Sequence, residues 1–594
     1  MKAIEFEKDK IVDDELQEFA DKVEAFKEGT FDPEEFKLRR LIQGIYGQRQ
    51  PDMFMIRVKI PAGHLTSDMI NGLCDVADQY ANGILHITTR QDFQLYYVSI
   101  DNLIPFLSLL AEHKITTREA SGATIRNIIT SAFADSLRDQ EYNILPTVET
   151  VVRYFLRNEE TQHLPRKFKL SFSENEKDLA VTSINDMGLI AATKDGKPGF
   201  KMVLGGSLGS TPMFSRMYKE FIDSQDLLWN ILAVLRAFNR HGNRAKRAEA
   251  RLKFQFEKMG FDEFCRLAEE QLQEIKAENM EFPEIEMDKV VCEDFDFSNP
   301  YNQQIAPDKY AWFENNVIAT NRKNEYMIVV QVPLGDLKTD VFRNLNEAHK
   351  EWHHDTNGEF ITLMDSQNLV LKGCVVGESE KKNYFNTIYK HLSSLGLNRS
   401  GYNYIGDPVS CLGSATCASG ITHSPGLAEA ISQQFHNLVK QDKSFTDTNL
   451  YISGCSNSCA RHHVATIGFS GRADKTFAEG QEAPAYNVFY GGATLPDGEA
   501  KVGTKISEKL LAKRIPAFLN TLIGLYKEKD KEDDTADSNG SFHKFIASIP
   551  KDEMTKIIKQ LSVDVLPISK DETLTFDWGV DRQYVMEYGE GECL

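Results

Sequence analysis

"FMIRVKIPAG", residues 54–63, returns far downstream as "YMIVVQVPLG", residues 326–335. Each reads as a strand that ends at a proline, a residue that cannot donate to a sheet ladder. The order of elements after each copy is also the same. After the first come a helical pattern around 66–82, Asn82-Gly83, the strand pair ILHITTRQDFQLYYV (84–98) and a second helical pattern over 102–114. After the second come a helical stretch, Asn357-Gly358, EFITLMDSQNLVL (359–371) and a helix at 381–395. Further on, LPRKFKLSF (164–172), NDMGLIAA (185–192) and KMVLGGSLG (201–209) run parallel to TNLYISGC (448–455), VATIGFSG (464–471) and NVFYGGATL (487–495). Gly205-Gly206 then matches Gly491-Gly492. The chain reads as two related halves, about 50–300 and 320–550. Strands mixed with helices in both halves place it in the α/β or α+β class. Three segments are peripheral: the charged, helical residues 1–45, the acidic linking residues 276–300 and the charged loop 527–541.

Bulk properties bound the function. The chain has 594 residues, 41% apolar and 26% charged, the balance of a soluble globular protein with a sizeable core. Its longest apolar runs, 103–111 and 228–235, are too short to cross a bilayer, and MKAIEFEKDK at the start has no apolar signal core. Nine cysteines, an odd number, point to a reducing cytoplasm rather than a disulfide framework. A net charge of −20 disfavours nucleic acid or an anionic membrane as partner. An anionic substrate would then need a local concentration of basic side chains.

Four cysteines form two pairs, Cys411-LGSAT-Cys417 and Cys455-SNS-Cys459, separated by 37 residues. Their neighbours are small (Gly, Ser, Ala, Thr, Asn), which leaves backbone N–H groups able to approach sulfur. Four thiolates are the usual ligand set of a [4Fe–4S] cluster. C-x5-C is a poor fit to structural zinc spacing, although zinc and unliganded thiols remain alternatives. Of the scattered cysteines, 74, 265 and 374 read as buried small hydrophobes, 292 stands apart, and 593 carries no assignable role.

The pattern C-x5-C…C-x3-C, with GCSNSC followed by IGF-G, resembles the sirohaem- and [4Fe–4S]-dependent sulfite/nitrite reductases over roughly residues 40–550. The resemblance implies that Cys411, Cys417, Cys455 and Cys459 hold the cluster and that Cys459 also bridges to the sirohaem iron, with Asn457 beside it. TTRQDFQL (88–95) resembles a family stretch whose arginine, here Arg90, faces the distal side of the haem. ATIRNIITS (123–131) and LPRKFKLSF resemble two more, which implies that Arg126, Lys167 and Lys169 complete an anion pocket. Family members also place a basic run near the macrocycle's carboxylates. Here that run is RAFNRHGNRAKRAEARLK (236–253), with Arg244, Lys246, Arg247 and Arg251 as candidates. The family commonly has proline where this chain has Ser456, a less rigid turn.

Each basic residue has an ordinary reading too. In K-F-K the two ammonium groups share one face and Phe168 the other, as on a solvated edge strand. Arg90 alone would be a surface arginine, whereas Arg126 in an apolar stretch is better explained as buried or cofactor-facing. Together they suit a small oxyanion: arginine offers forked donors and lysine a compact charge. A lysine whose pKa is lowered by cationic neighbours can also donate protons. His462 and His463 read as polar residues near the cofactor edge, not as iron ligands.

The expected fold class is α+β, two pseudo-symmetric halves around a shared cofactor site, in three domains. The expected boundaries are an N-terminal helical extension (1–50), a ferredoxin-like repeat pair (51–117 with 324–398), a first sirohaem-binding domain (118–300), a cysteine-bearing domain (399–560) and a tail (561–594). The resemblance implies six-electron assimilatory reduction of sulfite, because sulfite reductases carry Lys where Lys169 stands and nitrite reductases tend to carry Asn. Nitrite reduction to ammonia is the alternative, and a non-enzymatic Fe–S or zinc protein a second. No G-x-G-x-x-G fingerprint for flavin or nicotinamide appears, so electrons are expected from ferredoxin or a separate flavoprotein.

Overall fold

The computed structural model of the chain describes residues 3–295, 297–353, 361–478, 481–494, 500–530, 541–563, 571–589 and 591–592. Asn357-Gly358, most of the charged loop 527–541, and Cys593 lie outside the described residues.

The two quoted repeats build two five-stranded sheets that trade edge strands. In the first, Ile45–Gly47, Met53–Val58, Phe93–Ser99 and Ile84–Ile87 are completed by Asp336–Lys338 from the second repeat. In the second, Val317–Ala319, Glu325–Val330, Leu369–Val375 and Ile361–Leu363 are completed by His64–Leu65 from the first. The exchange happens just after each Pro-x-Gly. Pro61–Gly63 and Pro333–Gly335 form matching tight turns, with Ala62 and Leu334 left-handed at φ 56° and 60°. A left-handed non-glycine pair at equivalent places is a shared device rather than an accident. Gly63 and Gly335 tolerate their own positive φ, and a Cβ there would press on Leu363 O and on Gln367. Helices Ser67–Tyr80 and Thr339–Trp352 face each other, with Arg343 paired to Asp75 and Asp78. One apolar core runs through both repeats, from Ile56 and Leu73 to Ile328 and Phe385.

Two further sheets are also twins. Leu170–Ser173 pairs in parallel with Met187–Lys194, and Lys197–Leu204 and Arg216–Asp223 extend the sheet antiparallel. In the second half, Leu450–Ser453 pairs in parallel with Ile467–Ala478, followed by Gln481–Tyr490 and Thr504–Leu511. Residues 170–190 and 450–470 run through the same strand, loop, 3-10 turn and strand, residue for residue. Asp178 and Ser458 are left-handed at matching positions, as are Val181 and Arg461. Gln91 and Gln367, both left-handed, each receive an amide from the adjoining domain, Thr130 N at 3.1 Å and Ser410 N at 2.9 Å. The fold is therefore α+β with duplicated units about a pseudo-twofold axis.

Candidate anion and cofactor site

The cysteines sit on the turn of the second twin sheet. Val409–Ser410 lies beside Leu450–Ser453, so Cys411 and Cys455 leave neighbouring strand ends together. The Gly454 amide donates to Cys411 Sγ at 3.1 Å. Burial pushes the Cys455 thiol up, and Cys459, Cys411 and Cys417 push it further, which places the other three cysteines around Cys455. A thiol raised in this way ionises readily only when a metal takes the charge. Glycine is needed around them. A Cβ on Gly454 would meet Gly413 Cα at 2.5 Å, and one on Gly420 would meet Gly413 C at 2.2 Å. This close-packed backbone cradle and four-sulfur donor set fit a [4Fe–4S] cluster.

Beside Cys459 opens a cavity of about 580 Å³ between the halves. The first half contributes Arg90, Lys167, Lys169 and Arg251, and the second contributes Asn457, Cys459 and Arg461. The turn carrying Arg90 touches the cysteine loop directly, with Thr89 Oγ1 donating to Cys459 O at 3.0 Å. Arg90 is fixed by hydrogen bonds to Asn185 Oδ1 (2.9 Å), Leu170 O (3.3 Å) and Asn127 O. Burial, with Arg126 and Arg57 nearby, lowers its pKa to about 9. Phe168 is fully buried while Lys167 and Lys169 line the cavity, as the alternation predicts, although the strand itself begins only at Leu170. Burial first, then Arg90, Arg251 and Lys167, hold Lys169 well below the usual ammonium range, against the pull of Asp186. Asp186 carries much of this geometry. It accepts the Lys169 amide at 2.8 Å and grips Arg251 at 2.8 and 3.1 Å. The buried Nε–H groups of Arg90 and Arg461 meet no acceptor among the described residues. A cationic cavity with such donors, next to a cysteine, fits a tetrapyrrole rich in carboxylates.

Comparison with known proteins agrees with this geometry. The family model described as the nitrite and sulphite reductase 4Fe-4S domain matches residues 121–276 and 401–554, and the nitrite/sulfite reductase ferredoxin-like half domain matches 46–113. The chain belongs to the nitrite and sulfite reductase family. Members carry sirohaem and a [4Fe–4S] cluster. A protein named sulfite reductase [NADPH] hemoprotein beta-component, from Anoxybacillus flavithermus, is 24% identical over 514 residues, covering 80% of this chain and 82% of its own. An assimilatory ferredoxin-dependent nitrite reductase from Haloferax mediterranei is 23% identical over 529 residues, 85% and 86% of the two chains. The solved structure of the Mycobacterium tuberculosis NirA protein shares the fold, with a TM-score of 0.73, 19% identity, and coverage of 91% of this chain and 97% of its own.

Three expected site residues stand elsewhere. Arg126 lines a second cavity of about 420 Å³ rather than the one with the lysines. Its guanidinium bonds Tyr46 Oη (3.0 Å), Ala120 O (3.1 Å) and Gly122 O (3.0 Å). Arg244 lines the same second cavity and binds His163 O and Asn239. Lys246 lines neither. It is exposed and paired with Glu249 at 3.6 Å, because the helix ends at His241 and the basic run turns outward as a loop. Arg247 borders both cavities.

Residues not singled out from the sequence also line the larger cavity. Arg166 precedes Lys167 and was hidden by the K-F-K alternation. Arg461 pairs with Asp365 and lies over the Tyr451 ring at 5.2 Å. Lys253, lowered to about 8 by burial and by Arg251, donates to Leu208 O at 3.1 Å. His462 and His463, named from the sequence, do not line this cavity; they are buried, with tilted rings whose centroids are 4.1 Å apart, and His463 Nδ1 is 2.9 Å from Ser458 Oγ. They support the cysteine turn from behind.

Asp186→Asn should destabilise the protein by about 3–5 kcal/mol, the cost of removing one member of a buried ion pair and leaving Arg251 uncompensated. Urea denaturation reads this directly, and an unchanged midpoint would show that Arg251 finds another partner.

Proposed function

We propose that this chain reduces sulfite to sulfide by six electrons, in assimilation, with electrons arriving from ferredoxin or a separate flavoprotein in the cytoplasm. The observation that carries the reading is Lys169, placed with Arg90, Lys167 and Arg251 around one cavity. Bound sirohaem and the cluster supply the electrons there. The chain's own residues handle charge and protons. Arg90, already engaged by protein oxygens, acts as a fixed positive wall. Lys167 and Lys169 have unbranched stems that let an ammonium follow an oxygen as it leaves as water. Lys169, lowered by its cationic neighbours, gives up its proton more readily than an exposed lysine.

An extra cation at position 169 suits a dianion, which favours sulfite over nitrite. Nitrite remains the second reading, since a relative named as a nitrite reductase is about as similar as those named for sulfite. Steady-state reduction with an artificial donor separates them. The native protein should prefer sulfite, and Lys169→Asn should shift the kcat/KM ratio towards nitrite by about tenfold or more, the size of one lost charge contact. A native preference for nitrite would overturn the substrate assignment. A visible spectrum without haem-like bands would overturn the enzyme reading altogether. No described helix is long and apolar enough to cross a membrane.

A further inference from the structure

The C-terminal segment reaches the site. From Trp578, whose indole donates to Ala512 O at 2.8 Å, it crosses the cysteine loop. There the Tyr584 hydroxyl donates to Ile421 O at 3.1 Å and the Gly589 amide to Ala418 O at 2.9 Å. Arg49, from the first half, staples the crossing. Its guanidinium donates to Gly420 O at 2.6 Å and Cys417 O at 3.2 Å, and pairs with Glu587 at 3.0 Å. The segment then enters the cavity wall, where Tyr588, Gly591 and Glu592 face the same space as Lys169 and Cys459. Glu592 borders both cavities. Its carboxylate accepts from both terminal nitrogens of Arg40 and from the Gly47 amide at 2.7 Å, and its carbonyl accepts from Arg247 at 3.2 Å. Burial opposes ionisation of Glu592, but Arg40 and the Gly47 amide outweigh it and hold the carboxyl below its ordinary range.

This is a built clasp rather than a trailing end. A bidentate, partly buried carboxylate–guanidinium pair is strong and directional. It joins a segment anchored on the second half to the helix Pro33–Ile42 and the strand Ile45–Gly47 of the first. It also sets the partition between two cationic cavities and fixes Arg247 at their border. We propose that residues 584–589 and 591–592 form a clasp that retains a polycarboxylate macrocycle between the halves, with Glu592 as the positioning residue that holds Arg247 and closes the wall. This rests on the family's sirohaem and on the cavity as its site.

The test is the rate at which sirohaem leaves the loaded protein in mild urea, followed by its visible bands after gel filtration, with circular dichroism as the check on folding. Glu592→Gln and Arg40→Gln should each speed release roughly tenfold, the order expected for losing one partly buried bidentate pair. Deleting 588–594 should speed it at least as much. The charge-reversed double variant Arg40→Glu/Glu592→Arg should recover much of the loss, which a general loss of stability would not do. Equal release rates from the native protein and all variants, with folding intact, overturn the clasp alone. A native protein without sirohaem bands overturns the family function and the clasp with it.

Discussion

Replacing Cys459 by serine is expected to abolish reductase activity and to remove the cluster's low-temperature EPR signal. Serine is nearly isosteric, so packing of the turn is preserved, and the left-handed Ser458 and Arg461 that shape it are untouched. What changes is the donor. A serine hydroxyl ionises far less readily than a thiol, and three thiolates leave one iron of a cubane exposed. The expected loss in kcat is about 10³-fold or more, because the bound cofactors would supply the electrons, a loss comparable to deleting a principal catalytic group. Cys459 also lines the cavity beside Asn457, so the haem bands should shift even in molecules that keep their iron. A Cys459→Ser protein with native EPR signals and normal turnover would refute the bridging role that the family resemblance implies.

Much of this site was legible in the sequence because duplication writes the same device twice. Two strands ending at Pro61 and Pro333 announced the repeat, and the twin loops aligned the K-F-K strand with the cysteine strand. The strand exchange was not legible: which sheet His64–Leu65 joins is decided by partners nearly 300 residues away. Arg126 fell in the second cavity for a similar reason. Its spacing from Arg90 fixes a backbone position, but Tyr46 and two carbonyls decide where its guanidinium points. Lys246 looked equivalent to Arg247 and Arg251 only while the basic run was read as one continuous face. The loop after His241 breaks that face, and Arg251 alone finds Asp186. The C-terminal segment gave no signal, since Glu592 has meaning only against Arg40 and Gly47.

Lys169→Met is expected to lower kcat by about 10²–10⁴-fold, the usual contribution of a positioned proton donor. Methionine keeps the length and apolar stem of lysine, and the contact that anchors the residue is its backbone amide to Asp186, which survives the change. The loss should therefore appear in turnover rather than in folding. The pH profile gives the sharper readout. As a proton donor Lys169 would serve as the ammonium, so the native rate should fall as pH rises through its pKa. That pKa lies well below the ordinary lysine value, because burial and Arg90, Arg251 and Lys167 all disfavour the charged form. The high-pH limb should therefore start well below the range of an exposed lysine, and Lys169→Met should lose it. Lys167→Met should keep a limb but move it upward, since one of the charges that depress Lys169 is gone. A Lys169→Met enzyme within tenfold of native, with the same limb, would hand the proton-donor role to another group, and Lys253, lowered to about 8 and facing the same cavity, would be the next to replace.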